Sequence, residues 1–229
     1  MAIAVENAPT VVTTPAPVAE STSIADPGPL GLAAFALTTF VLSTFNAGIL
    51  PKTVEAVVLP IALFYGGFAQ LLAGMWEFKK GNTFGALAFT SYGAFWLSFA
   101  ALVRFVAADL PKEDAEKGIG VFLLAWTIFT LYMTLAALRT SPILVLVFVT
   151  LSLTFIALTV GAFAGNATIS HLGGYLGLLT AFEAWYASAA GVTRASPRRA
   201  CRRGGTADGG GAASRLQDRR GGRQAGEPS

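Results

Sequence analysis

Polar and ionisable side chains are scarce in the apolar stretches of this chain, so each one invites a chemical reading. Glu183 lies about two thirds of the way along a stretch that begins at Thr168. A carboxyl at such depth must face the protein interior, find a partner, or stay protonated, which makes it a candidate for proton uptake and release or for a hydrogen bond to a neighbour. Glu77 closes an earlier stretch beside Lys79 and Lys80, a setting for an interfacial salt bridge or a proton-linked role. His171 is the one histidine, read either as an interface hydrogen-bonding residue or as a proton relay. Gln70 and the hydroxyls of Thr38, Thr39, Thr90, Ser91, Tyr65 and Tyr92 sit at depth. Together they could line a path for a small polar solute, although Ser and Thr in such helices also bond back to their own backbone. No nucleophile elbow, phosphate loop, zinc spacing or paired carboxylate set occurs, so no enzyme and no cofactor is expected. Cys201 is the single cysteine, which excludes an intrachain disulfide and a thiolate metal cluster.

The elements that hold these residues are six apolar stretches between Leu30 and Gly191, each about long enough to cross a bilayer as a helix. Hydrocarbon offers no partner to exposed backbone N–H and C=O groups, so the runs must close their own hydrogen bonds. An all-α membrane protein with six transmembrane helices per protomer follows. The spans are placed at Leu30 to Gly48, Val54 to Glu77, Phe84 to Ala108, Gly118 to Leu138, Pro142 to Ala164 and Thr168 to Gly191. Pro27 and Pro29 give the first a firm start. Pro60 falls in the first turns of the second, where a missing N–H costs little or a kink forms. Connections are a few residues long except Asp109 to Lys117, so successive helices should be antiparallel neighbours.

Composition agrees with that architecture: 54% of residues are hydrophobic and 13% charged, against roughly 45–50% and about 25% in soluble domains. The formal charge of +3 is unevenly spread. Residues 1–193 hold seven Lys/Arg and ten Asp/Glu, whereas residues 194–229 hold nine Arg and three acids. Those arginines have neither a fold nor aromatic platforms to present them, so no nucleic-acid partner is expected, and contact with anionic membrane lipid is the alternative to a solvated tail. Residues 1–25 and 194–229 read as disordered arms flanking a transmembrane domain at 26–193. Lys79, Lys80, Arg139, Arg194, Arg198, Arg199, Arg202 and Arg203 fall on one membrane face, and Lys52, Arg104, Lys112 and Lys117 on the other. The excess puts both termini in the cytoplasm, in a plasma or inner membrane.

Glycines recur at close spacing: Gly66, Gly67 and Gly74 in the second span, Gly161 and Gly165 in the fifth, Gly173, Gly174 and Gly177 in the sixth. They read as helix-packing positions, with thin conduit walls or an oligomer interface as alternatives.

Two segments are more specific. Asp26-Pro27-Gly28-Pro29-Leu30-Gly31-Leu32 resembles the Asn-Pro-Ala-Pro-Leu-Gly-Leu signature of the acetate uptake transporter family, which includes bacterial succinate-acetate permeases and fungal acetate and ammonia-export proteins; Asp26 and Gly28 depart from it. The run from Gly66 to Trp96 and the Ala164-Gly165-Asn166-Ala167 segment, followed by His171 and Gly174, are similar to the family pattern. The resemblance implies a homohexamer with a pathway through each protomer for acetate and similar small monocarboxylates, with succinate as a further candidate. It also implies a hydrophobic constriction at Phe35, Tyr92 and Leu151. Ammonium export and a non-transporting sensor or scaffold are the competing readings.

Overall fold

The computed structural model describes residues 24–195. The arms expected at 1–25 and 194–229, with Cys201 and the arginines from Arg198 on, lie outside those residues except at their inner edges. Arg194 and Ala195 belong to the last helix.

All regular structure among the described residues is helical. α1 is Gly28–Asn46. The second span is composite: a 3₁₀ turn Lys52–Val57, a single α turn α2 at Val58–Ile61, a π-helical segment Ala62–Ala69, and α3 at Gln70–Lys80. α4 is Thr83–Ala101, continued by a π turn Leu102–Val106 and a 3₁₀ turn Ala107–Asp109. α5 is Lys112–Ala137, α6 Pro142–Ala164 and α7 Ala167–Ala195. Five of these stretches, beginning at Gly28, Lys52, Thr83, Lys112 and Pro142, are long and apolar enough to cross a membrane. The chain is an integral membrane protein, and α7 packs along both α1 and α6.

Pro60 accounts for the composite second span. It has no N–H to give to the turn before it, and its ring crowds the carbonyl four residues back. The helix is accordingly tight up to Val57 and over-wide from Ala62. The π segment brings Gly66 against α1, where a Cβ on Gly66 would lie 2.5 Å from Thr38 Oγ1.

Two hairpins reuse one device. Gly81 and Gly165 end α3 and α6 in the left-handed region, at φ +80° and +59°. The following asparagine starts the next helix in each case. Asn82 Oδ1 accepts from the Gly85 amide at 3.2 Å, and Asn166 Oδ1 accepts from the Thr168 and Ile169 amides at 3.0 and 3.2 Å. Stop and start within two residues make antiparallel neighbours.

One loop differs from expectation. The connection placed at Asp109 to Lys117 is mostly helix, because α5 starts at Lys112 directly after Pro111. Glu113 and Asp114 favour its first turn, and Lys117 Nζ meets Glu113 Oε1 at 2.8 Å. Hydropathy does not register this charged turn.

The glycines of α7 meet other helices of the same chain. A Cβ on Gly174 would strike the backbone of Asn46 and Ala47, one on Gly177 the Ser43 hydroxyl, and one on Gly173 Leu158. Lipid gives helices little hydrophobic reason to associate, so this closeness supplies much of the packing.

Candidate functional site

Two cavities enter the bundle from opposite ends. The larger, about 740 Å³, is lined at its mouth by Asn46, Lys52, Lys112, Asn166 and His171, from the turns after α1, before α5 and between α6 and α7. The smaller, about 430 Å³, is lined at its mouth by Asp26, Lys80, Asn82, Ser141 and Arg194, from the entry to α1, the α3–α4 and α5–α6 turns and the end of α7. Three residues line both: Phe35, Tyr92 and Leu151. Each is buried, at 6%, 3% and 4% exposure.

Aromatic packing fixes the junction. The Tyr92 ring lies 5.8 Å from Phe35, 5.4 Å from Phe129 and 6.1 Å from Phe148, centroid to centroid. Its hydroxyl shares a 2.9 Å hydrogen bond with Thr130 Oγ1 on α5. The phenol is thus held at both ends, ring in the aromatic layer and oxygen on a neighbouring helix.

The other candidates separate by position. Thr39 lines the larger cavity and Gln70 the smaller. Thr39 Oγ1 and Gln70 Oε1 are buried without a hydrogen-bond partner. Thr38 lines neither cavity, and its hydroxyl donates to the Ala34 carbonyl at 2.9 Å. Thr90 and Ser91 also line neither, and Thr90 packs against Gly74.

Among the titratable candidates, Glu77 lines the smaller cavity, and its Oε2 accepts from Asn82 Nδ2 at 2.8 Å. Lys80 pairs instead with Asp26, Nζ to Oδ1 at 2.8 Å, so the salt bridge at this span end forms without Glu77. His171 stands at the larger mouth, where a Cβ on Gly48 would lie 2.8 Å from its Nε2. Glu183 lines neither cavity. It lies at the α6–α7 interface, where Oε2 accepts from Thr150 Oγ1 at 2.7 Å, and Thr150 accepts in turn from Thr180 Oγ1 at 2.9 Å.

Trp96 had no place among the residues singled out from sequence. It is 3% exposed, lines the larger cavity, and leaves its indole Nε1 unpartnered. Its only sequence signal is position: Trp96 follows Tyr92 by one helical turn.

A helical membrane bundle with two opposed cavities separated by a ring of bulky side chains has the architecture of a small-solute pathway. The chain belongs to the GPR1/FUN34/yaaH family, whose model matches residues 10–198. It is 46% identical over 183 residues to "Accumulation of dyads protein 2" of Saccharomyces cerevisiae, covering 78% of this chain and 64% of that protein. It is 41% identical over 166 residues to "Succinate-acetate/proton symporter SatP" of Escherichia coli, covering 72% of this chain and 87% of that protein. The solved "Structure of the bacterial acetate channel SatP" superposes with a TM-score of 0.70 at 40% identity, covering 75% of this chain and 94% of that one. The chain thus spans less than two thirds of the yeast relative's length.

Proposed function

We propose that this chain passes acetate and similarly small monocarboxylates across the plasma or inner membrane, through a pathway within each protomer whose narrowest point is Phe35, Tyr92 and Leu151. The observation that carries the reading is that two cavities from opposite ends share only these three residues. The printed names of the Escherichia coli relative and of the solved neighbour, a succinate-acetate/proton symporter and an acetate channel, support the substrate class.

The chemistry suits such a solute. A carboxylic acid with a pKa near that of a glutamate side chain, roughly 4.3, is anionic at neutral pH and cannot cross hydrocarbon. Acetate also has a methyl end. A ring of two aromatics and a leucine can accept the methyl and shed water, while larger hydrated ions and dicarboxylates pass poorly. Both mouths carry charges of both signs, Lys52 and Lys112 beside Glu55 and Glu116 at one, and Lys80 and Arg194 beside Asp26 and Glu77 at the other. Of the three proton-linked candidates, Glu77 and His171 line the pathway, together with Asp26, Glu55 and Glu116. Glu183 reaches it only through Thr150, the residue before Leu151.

The same reading includes six membrane-crossing helices with α7 as the sixth, both termini cytoplasmic, and assembly as a homohexamer embedded in lipid. Helix faces carrying Phe64, Phe68, Phe105 and Phe182 are exposed on the single chain and suit lipid or a neighbouring copy.

The test is flux of labelled acetate into proteoliposomes, with and without an imposed proton gradient. Flux above empty liposomes, competed by unlabelled acetate and not by ammonium, is expected. Uptake beyond the level set by voltage and weak-acid trapping assigns proton coupling. No flux above empty liposomes overturns the reading in favour of a sensor or scaffold.

A further inference from the structure

Glu183 is a buried carboxyl that lines neither cavity, yet it is hydrogen-bonded to the residue before Leu151. We propose that Glu183 is a positioning residue for Leu151: through Thr150 it sets the bend of α6 at the constriction, with one hydrogen-bond pattern when the carboxyl is ionised and another when it is protonated. The inference rests on the reading of Leu151 as part of the narrow point of a small-carboxylate pathway, and adds what governs that leucine.

Proton counting along the hydroxyls gives the two patterns. Thr150 Oγ1 lies 2.7 Å from Glu183 Oε2, 3.0 Å from the Leu146 carbonyl and 3.1 Å from the Val147 carbonyl. A hydroxyl has one proton to give. An ionised carboxylate only accepts, so it draws that proton, and Thr150 accepts in turn from Thr180 Oγ1 at 2.9 Å. A protonated carboxyl can donate to Thr150 instead, which frees the Thr150 proton for a carbonyl of its own helix. Thr180 has the same choice, since the Leu176 carbonyl is also 2.9 Å away. The Val147 carbonyl is the one that the α-helical pattern assigns to the Leu151 amide. A side-chain hydroxyl added to such a carbonyl bends a helix, so the bend falls at Leu151. Val147 and Phe148 of the same turn line the smaller cavity, and Phe148 rests against Tyr92.

Leu151 is flanked by two ties between helices, and one of them can switch. On its other side in sequence, Ser152 Oγ shares a 2.8 Å hydrogen bond with Thr134 Oγ1 of α5, which also lies 3.1 Å from the Phe148 carbonyl. That tie consists of hydroxyls and a carbonyl and does not titrate. The tie to α7 contains an acid. Its surroundings leave that acid without a charged neighbour on the helices it packs against: α7 runs along α1 and α6, and neither Gly28–Asn46 nor Pro142–Ala164 holds an ionisable side chain. The other titratable groups on α7 are Tyr175 and Tyr186, both exposed, and His171 and Arg194. The last two stand at opposite mouths, each roughly 16–18 Å from Glu183 along the helix axis. Protonation of Glu183 is therefore read out through its hydrogen bond to Thr150.

Two readouts on the full chain test the coupling. In nanodiscs without substrate, protein carrying ¹³C-methyl leucine is taken through a pH titration, and the Leu151 methyl resonances are assigned by Leu151→Ile. They are expected to shift in one sigmoidal step, which Glu183→Gln and Thr150→Val abolish and Thr150→Ser, with its hydroxyl kept, retains. In proteoliposomes the ratio of propionate to acetate uptake, corrected for empty liposomes, is followed over the same pH range. The two acids are nearly equal in strength, so their own protonation cancels in the ratio. The parent's ratio is expected to change with pH and that of Glu183→Gln to stay level. Leu151 methyls that ignore pH in the parent, or still move in Glu183→Gln, overturn the positioning role and leave acetate passage standing. A ratio flat in the parent, or changing alike in both proteins, overturns it too. A parent without acetate flux brings down the transport reading, and the methyl titration still decides the coupling of Glu183 to Leu151. Should Glu183→Gln fail to fold, Thr150→Val against Thr150→Ser carries the same comparison.

Discussion

Tyr92 offers a clean separation of what a ring does from what a hydroxyl does. The ring borders both cavities, while the hydroxyl is already engaged with Thr130 Oγ1 at 2.9 Å. Tyr92→Phe removes one buried hydrogen bond and keeps the constriction. Within a membrane such a bond is worth about 0.6–1.7 kcal/mol. Thr130 is fully buried, but it can turn its hydroxyl to a carbonyl one turn back, as Thr127 and Thr134 do. The net cost should therefore be about 1 kcal/mol, short of the 3 that a stranded polar group can reach. Acetate flux should stay near the parent's, because the ring that borders both cavities is kept. Tyr92→Ala instead deletes a ring packed on Phe35, Phe129 and Phe148. It should cost about 3 kcal/mol or more and join the two cavities, so that longer monocarboxylates pass beside acetate. Unfolding in mixed micelles reads stability, and proteoliposome uptake of labelled acids of increasing length reads selectivity. A folded Tyr92→Phe protein that has lost acetate flux would mean that the hydroxyl handles the substrate. A Tyr92→Ala protein with the parent's size cut-off would remove the constriction altogether.

Two further outcomes test the scaffold. Gly66→Ala puts a Cβ 2.5 Å from Thr38 Oγ1, a buried atom with nowhere to move, so the π segment must back away from α1. A loss of about 1–3 kcal/mol is expected in micelle unfolding, and an unchanged midpoint would refute the tight contact. Burial pushes the Asp26 carboxyl up, but the hydrogen bonds from Lys80 and the Gly28 amide outweigh it and hold the group below its usual value. Its stabilisation is therefore full above about pH 4, the unfolded value, and fades as pH falls through the lower folded one. Both partners are more than a third exposed, so the pair is worth only about 0.2–1 kcal/mol. Asp26→Asn should flatten that acid limb of the stability profile, and parallel profiles for the two proteins would contradict the ion pair's role.

The helices were legible because lipid leaves a backbone so few options, and the Gly81-Asn82 and Gly165-Asn166 turns carry their stop and start signals openly. The charged first turn of α5 escaped because it lies outside the apolar window. The composite second span escaped because Pro60 marks a disturbance without saying how the helix absorbs it. Phe35, Tyr92 and Leu151 are scattered over three helices, and only the family resemblance gathered them in advance. Side-chain direction was the harder question. A helix that meets protein on one side and lipid on the other is apolar all round, so no polar stripe reports which way a given residue turns. Consecutive residues differ by about 100° of rotation, and that step decides which side chains line a cavity here. Thr38 turns to Gly66 and spends its hydroxyl on Ala34, while Thr39 turns to the larger cavity and keeps its hydroxyl free. The same step places Glu183 between α6 and α7 instead of on the pathway. In such a bundle depth can be read from hydropathy, whereas which residues line a cavity depends on the rotation of each helix, which an all-apolar surface does not report.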